Sequence, residues 1–356
     1  MTTSAPHPPV TTTADADRAV QLLDRSRALV RPALAEAVER LHPWVGEMAA
    51  YSFGWCEAGG APAAAAGGKG LRQALAVLGA EAAGAPTGAG VSAAVAVELV
   101  HTFSLLHDDI MDGDATRRGR PTVWKAYGTG PAVLAGDALF ALAVETLASA
   151  PGSHVPSAVR HLSTALNDLV SGQADDLLFE SRPWTGPEAV GPDEYRAMAE
   201  HKTGALLGCA AALGAVLAGA PATTVTALDR AGRHLGVAFQ VIDDLLGIWG
   251  DTAVTGKPVH ADLRRRKKTF PVLAALDTPA AVHPLPGLLE GAEELDEATA
   301  RRAAALIEEA GGRSAALAEA RRHIAYVHAC LDSLPTASHA ADDLRALLAF
   351  LVSREM

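Results

Sequence analysis

The chain has 356 residues, with 30 Lys and Arg against 41 Asp and Glu and a formal net charge of −11. That length can bury a full core, and the acidic balance excludes nucleic acid as the main partner, because affinity for a phosphate backbone needs excess Lys and Arg. Apolar residues make up 49% and aromatics 4%, with Ala the commonest letter, which excludes a β-sandwich rich in Val, Ile, Thr and aromatics.

Residues 1–16 carry no basic segment and no apolar run, and are expected to be a disordered tail rather than a signal peptide. From residue 17 onward apolar residues recur at helical spacing, with no sustained period-two alternation. The spacing predicts helices over 17–50, 70–84, 88–111, 130–150, 155–181, 193–219, 223–249, 268–277, 297–311, 313–332 and 338–353. Breaks fall at Gly84-Ala85-Pro86, Pro151-Gly152-Ser153, Pro183 to Pro187 and Gly219-Ala220-Pro221. No linker divides the chain, so residues 17–356 are expected to form one all-α domain. The uncharged stretch Thr203 to Leu228 is Ala- and Gly-rich and broken by Pro221, so it reads as a core helix and no integral membrane span is expected. Cys56, Cys209 and Cys330 have no zinc-site spacing and read as buried thiols of a reducing cytoplasm.

Two acidic clusters end otherwise apolar helices. In Asp108-Asp109-Ile110-Met111-Asp112 the first and last Asp are i and i+4 on one helical face, with Asp109 about 100° round. Carboxylates so close repel by a few kcal/mol at an effective dielectric of about 20, so an apolar helix carries them for a cation. Oxygen-only ligands suit Mg²⁺, which takes one or two carboxylates plus substrate phosphate. Gln240-Val241-Ile242-Asp243-Asp244 repeats the arrangement. Cations flank the first cluster: Gly67-Gly68-Lys69-Gly70-Leu71-Arg72 before it, and Arg117-Arg118-Gly119-Arg120-Pro121-Thr122 after it. Arg suits bidentate phosphate binding and a glycine turn lets backbone N–H groups approach an anion.

These elements, with Gly172-Gln173-x-x-Asp176, Lys202-Thr203, Phe239-Gln240-x-x-Asp243-Asp244, Gly256-Lys257 and Lys267, resemble the ordered motifs of the trans-isoprenyl diphosphate synthases, the polyprenyl synthetase family, in its geranylgeranyl-type branch. The match runs from about Gly67 to Phe270. It implies the all-α isoprenoid synthase fold, a helical bundle around a deep cavity, and a homodimer. It also implies three Mg²⁺ ions, with Asp108 and Asp112 holding two and Asp243 the third, and with Asp109, Asp244, Gln173 and Asp176 holding the waters and the surrounding groups that orient those ligands. The resemblance gives Arg117, Lys202 and Lys257 the allylic diphosphate, with Lys267 in the same pocket. It gives Lys69, Arg72, His101 and Arg118 the diphosphate of isopentenyl diphosphate. Metal and cations would stabilise the departing diphosphate, oxygen dipoles of Lys202, Thr203 and Gln240 would face the allylic cation, and the released diphosphate would take the final proton. His107 is expected to be structural.

Some positions depart from the family pattern. Gly247 stands where the second motif usually has a third Asp, Asp251 is the nearest following acid that could act through water, and Gln73 replaces a usual Pro. Product length in the family follows bulk upstream of the first motif, and Phe103 beside the small Ser104 resembles the twenty-carbon pattern. The run Arg264 to Lys268 is expected to line the mouth of a diphosphate pocket. Two other readings stay open. A class I terpene cyclase is favoured by Asn167-Asp168-Leu169-Val170-Ser171-Gly172-Gln173-Ala174-Asp175, which nearly fits the cyclase metal motif. A catalytically silent partner subunit is disfavoured by the intact first motif.

Overall fold

The computed structural model describes residues 13–63, 70–251, 259–278, 284–291, 294–334 and 339–355. Its first half runs α1 (Thr13–Glu39), α2 (Pro43–Ser52), α3 (Leu71–Ala82), α4 (Val91–Met111), strands β1 (Thr116–Arg117) and β2 (Arg120–Pro121), α5 (Val123–Tyr127), α6 (Thr129–Ala148) and α7 (Val155–Ser181). There follow α8 (Pro192–Ala199), a π-helical turn (Glu200–Gly204), α9 (Ala205–Leu217), α10 (Ala222–Trp249), α11 (Ala261–Arg264), α12 (Phe270–Leu276), α13 (Leu285–Leu289), α14 (Glu297–Glu309), α15 (Gly312–Asp332) and α16 (His339–Glu355).

The all-α expectation holds, with three local corrections. The helix expected over 17–50 is two helices: α1 starts at Thr13, inside the expected tail, and the chain breaks before Pro43, where the His42 ring accepts the Trp44 N–H at 3.3 Å. Pro at the first helical position suits such a start because its missing N–H has no partner there anyway. The helix expected over 193–219 is interrupted by the π-helical turn. The antiparallel pair β1–β2, with Thr116 opposite Pro121, was not anticipated, since strands of two residues leave no alternation to detect.

The core is built on small residues. Every residue of α9 from Ala205 to Ala215 is buried, as is α3 from Gln73 to Ala80. A Cβ on Gly79 would lie 2.1 Å from Ala211 O, and one on Gly214 would lie 2.1 Å from Ala76 O. Glycine on both sides therefore lets the α3 and α9 backbones touch, and the Ala-rich composition is the chemistry of that close packing. The expected core helix within Thr203 to Leu228 is thus present. Helix α4 packs on α6 and α9, α9 on α7 and α10, and α7 and α10 both lie against the π-helical turn. Cys56 and Cys209 are buried free thiols, whereas Cys330 is only half-buried. By length and composition α6 is apolar enough to cross a membrane; one face packs in the core, and Val133, Leu134 and Phe140 are exposed on the other.

Candidate active site

The first acidic cluster closes α4. Asp112 caps the helix and donates its N–H to the Asp108 carbonyl at 2.8 Å, so the two carboxylates are one turn apart as the spacing predicts. Burial pushes the Asp108 carboxyl up to about 6, with Lys202 and Arg117 pulling it down and Asp112 and Asp109 pushing it up. Asp109 is buried, and its Oδ1 receives both Nε and Nη2 of Arg117 at 2.7 Å. By gripping that guanidinium, Asp109 fixes the cation expected to face the diphosphate.

Arg117 and Arg118 sit on the β1–β2 hairpin. Its central residues both have positive φ, 53° at Arg118 and 74° at Gly119, the turn whose twist matches that of paired strands. Arg120, the far strand's residue, lies 4.3 Å over the Tyr51 ring and donates to Cys56 O at 2.7 Å, which anchors the hairpin to α2. The Tyr51 hydroxyl donates to Pro121 O at 2.7 Å.

Behind the hairpin is a cavity of about 640 Å³ lined by Arg72, His101, Arg117 and Arg118, and also by Arg27 and Arg31 of α1. Arg72 Nη1 lies 3.1 Å from His101 Nε2, which fits an imidazole accepting at that nitrogen. Burial, reinforced by Arg72, Arg118 and Arg117, holds His101 well below its ordinary pKa, so the ring is neutral. Burial brings Arg72 down to about 10 although Glu98 opposes it, and Arg72 Nε has no partner among the described residues. An orphaned buried donor among guanidiniums suits an anion with several oxygens. Arg27, Arg31 and Glu98 were missed from the sequence: Arg27 and Arg31 share a face of α1 at i and i+4, but nothing local ties that face to α3. Lys69 lies outside the described residues.

The opposite wall comes from α7, the π-helical turn and α10. A Cβ on Gly172 would lie 2.2 Å from Lys202 N, so glycine is what allows α7 to touch the turn. Lys202 Nζ meets Asp176 Oδ2 at 2.5 Å, and both amide atoms of the buried Gln173 lack partners among the described residues. Extra-wide turns of this kind recur at functional sites because they re-aim side chains out of register; here the turn presents Lys202 and Thr203. The Thr203 hydroxyl donates to Gln240 Oε1 at 2.9 Å, so the two expected oxygen dipoles are bonded to each other.

On α10 the neighbouring carboxyls separate. Asp243 is exposed, while Asp244 is buried. Asp244 accepts from the Tyr195 hydroxyl and from Phe270 N, the latter at 2.8 Å, and Gln240 Nε2 lies 3.4 Å away. Burial pushes its carboxyl up to about 8 against those hydrogen bonds. Asp244 thus ties α8, α10 and α12 together. The Lys267 ammonium lies among Asp112, Asp262, Asp176 and Asp244, which hold its pKa up against burial.

The other cations of that run diverge and do not line the pocket as expected. Arg264 faces Glu294 at 3.9 Å, Arg265 pairs with Asp114 at 2.9 Å, Arg266 lies against Gly291, and Lys268 sits 4.3 Å over the Trp184 ring. Lys257 lies outside the described residues. Phe103 packs edge-on to His107 at 4.9 Å and against Phe140 of α6 at 5.5 Å, and the Ser104 hydroxyl donates to His101 O at 2.9 Å. His107 is structural as expected: its Nε2 is 3.2 Å from Val133 O, and a Cβ on Gly136 would collide with the ring. The cyclase-like set falls elsewhere. Asn167 and Ser171 are exposed, and Asp168 pairs with Arg233 at 2.7 Å.

The donor set fits Mg²⁺. Asp108, Asp112 and Asp243 offer only oxygens, and Gln173, on the helix that carries Asp176, has amide atoms without a partner among the described residues. No three acidic, His or Cys side chains converge to ligand distance among the described residues; a Mg²⁺ held here by one or two carboxylates would complete its shell with water and diphosphate oxygens, the usual habit of this ion.

Comparison with known proteins bears on the same residues. The family model described as polyprenyl synthetase matches residues 55–307. The chain is 45% identical over 342 residues to the geranylgeranyl diphosphate synthase of Mycobacterium tuberculosis (strain ATCC 25618 / H37Rv), covering 96% of this chain and 95% of that protein. It is 42% identical to the (2E,6E)-farnesyl diphosphate synthase of Mycobacterium bovis (strain ATCC BAA-935 / AF2122/97), covering 95% and 94%. The crystal structure of a polyprenyl synthetase from Streptomyces coelicolor A3(2) superposes with a TM-score of 0.86 at 47% identity, over 93% of this chain and 98% of that one. With its motifs gathered around one site on this helical fold, the chain belongs to the polyprenyl synthetase family and is a trans-prenyltransferase.

Proposed function

We propose that this prenyltransferase joins an allylic diphosphate to isopentenyl diphosphate and forms all-trans geranylgeranyl diphosphate. The observation that carries the reading is the pairing of two unlike anion sites across one hairpin. Arg72, neutral His101 and Arg118 make a cationic cavity, and Asp108 with Lys202 and Arg117 makes a carboxylate-and-cation wall beside it. A terpene cyclase has no use for the first of these, and a silent subunit has no use for the second.

Mg²⁺, of which we infer three ions held by Asp108, Asp112 and Asp243, would neutralise charge on the departing diphosphate. Lys202, Arg117 and Lys267, together with Lys257, bind the allylic diphosphate, and the placement of the first three before reaction supplies preorganised positive charge where negative charge develops. Gln173 and Asp176 orient this set, with Asp176 holding Lys202 in place. Arg72, Arg118, Lys69 and His101 hold the second diphosphate. Because His101 is uncharged, it orients the substrate without adding to the pull on its leaving group. Thr203 and Gln240 present oxygens to the allylic carbon as the carbon–oxygen bond breaks. The double bond of isopentenyl diphosphate then forms the new carbon–carbon bond, and the proton lost in restoring the alkene passes to the released diphosphate.

Chain length rests on the name of the 45%-identical relative and on the bulk of Phe103 below Asp108. The farnesyl-forming relative at 42% makes a fifteen-carbon product the second reading. We further infer one helical domain acting in the cytoplasm as a homodimer. Val133, Leu134 and Phe140 of α6 and Val170, Leu177 and Leu178 of the neighbouring α7 are exposed, an apolar face of the kind that marks an interface. Incubation with isopentenyl diphosphate, Mg²⁺ and primers of five, ten, fifteen and twenty carbons tests the assignment. Elongation of every primer up to fifteen carbons, stopping at twenty, is expected; a fifteen-carbon end product would give the second reading.

A further inference from the structure

Two stripes of side chains, one on α7 and one on α10, close on the π-helical turn. On α7 they are Asp168, Gly172 and Asp176, spaced i, i+4 and i+8 on one face. Gly172 lets the Lys202 backbone touch the helix, and Asp176 takes the Lys202 ammonium. On α10 the stripe is Arg233, Gly236 and Gln240, at i, i+3 and i+7. A Cβ on Gly236 would lie 2.6 Å from Gly204 N and 2.9 Å from Thr203 C, and Gln240 accepts the Thr203 hydroxyl at 2.9 Å.

Arg233 joins the two stripes. Each nitrogen of its guanidinium faces a different carboxylate: Nη2 meets Asp168 of α7 at 2.7 Å, Nε meets Asp229 one turn back on α10 at 2.9 Å, and Nη1 faces Glu200, the first residue of the turn, at 3.7 Å. A planar fork of fixed geometry can serve several carboxylates at once, which an ammonium cannot. The Arg233 side chain is only 19% exposed, so these bonds are less screened than those of a surface pair. A Cβ on Gly204 would lie 2.8 Å from Arg233 O. The Arg233 backbone therefore rests on the last residue of the turn while its side chain holds the first. Asp168 comes from the cyclase-like set, which the proposed reaction does not otherwise use.

We propose that Arg233 is a positioning residue for the transfer: by tying α7, α10 and Glu200 together it fixes the aim of Lys202 at the allylic diphosphate. The inference rests on the role proposed for Lys202. The chain departs from α-helical winding only between Glu200 and Gly204, so holding both ends of the turn holds the side chains that it presents.

The test is a double-mutant cycle on the full chain, read by steady-state kinetics with farnesyl diphosphate, isopentenyl diphosphate and Mg²⁺. Arg233→Met keeps much of the side-chain bulk and removes all three bonds. It is expected to lower kcat/KM for farnesyl diphosphate by about ten- to a hundredfold, since a misplacement of about an ångström is enough for a loss of that size. The KM for isopentenyl diphosphate is expected to change by less than about twofold, because the cavity behind the hairpin is built from other elements. In a Lys202→Ala background the same substitution is expected to cost less than about threefold more, whereas a merely structural role would multiply the two losses. Asp168→Asn removes one charge and is expected to show the same coupling at about three- to tenfold; it carries the test if circular dichroism and melting show that Arg233→Met does not fold. Losses that multiply in the Lys202→Ala background, or folded variants with the kinetics of the unsubstituted protein, overturn the inference while leaving the proposed function standing. Absence of elongation by the unsubstituted protein overturns both.

Discussion

Lys202 Nζ and Asp176 Oδ2 stand 2.5 Å apart, joining the π-helical turn to α7 with both side chains largely shielded from solvent. The pair fixes a cation beside Asp108 before any substrate arrives. Removing a preorganised charge that acts on a leaving group typically costs two to three orders of magnitude. Lys202→Ala should therefore lower kcat about 100- to 1000-fold with unchanged circular dichroism. Asp176→Asn, which frees rather than removes the cation, should cost about tenfold. Steady-state kinetics on both variants checks the ordering; equal losses would contradict it.

The Asp108 carboxyl, raised to about 6 chiefly by burial, sets a pH dependence of definite sign. In metal-free protein its contribution to stability is full below its unfolded value of about 3.9 and is lost as pH rises through about 6. Metal binding runs the other way, because the ligand must be deprotonated. Mg²⁺-dependent diphosphate binding should weaken by up to about tenfold per pH unit below 6. Calorimetry at steps between pH 5 and 8 measures it, and a flat profile would count against Asp108 as a ligand.

Tyr195 and Asp244 form a buried clasp that also takes Phe270 N. Burial raises the Asp244 carboxyl to about 8, so a lost donor leaves a poorly satisfied polar group in the interior. Tyr195→Phe should destabilise the protein by about 1–3 kcal/mol, read as a lower denaturation midpoint at unchanged slope.

Phe103 touches Phe140 across the α4–α6 contact, five positions before Asp108. Phe103→Ala should lengthen the product beyond twenty carbons. Chromatography of the hydrolysed products gives the answer: an unchanged twenty-carbon peak would place the floor of the pocket elsewhere.

The parts of the site that could be read from the sequence are those set by spacing along one helix. Asp108 and Asp112 share a face because they are i and i+4, and the close packing of α3 on α9 follows from their small residues. The rest depends on contacts between segments far apart in the chain. The π-helical turn at Glu200–Gly204 gives no signature in the apolar period, because a single wide turn shifts the register without breaking the pattern. Arg27 and Arg31 enter the cavity through the packing of α1, and Asp262 reaches Gly247 through a loop. Asp109 and Asp244 are expected beside the ligands from their motif positions, but their burial and their partners Arg117 and Tyr195 are not written there. Burial of one residue of an Asp-Asp pair is invisible when both sit at the end of the same apolar run.

The central claim is that two diphosphates bind side by side and one prenyl unit passes to the other. The most direct measurement is a single incubation of the purified chain with Mg²⁺, isopentenyl diphosphate and farnesyl diphosphate, followed by phosphatase treatment and chromatography. All-trans geranylgeraniol, absent when isopentenyl diphosphate is omitted, is the predicted product. A cyclised hydrocarbon formed from farnesyl diphosphate alone, or recovery of unreacted farnesol, would contradict it.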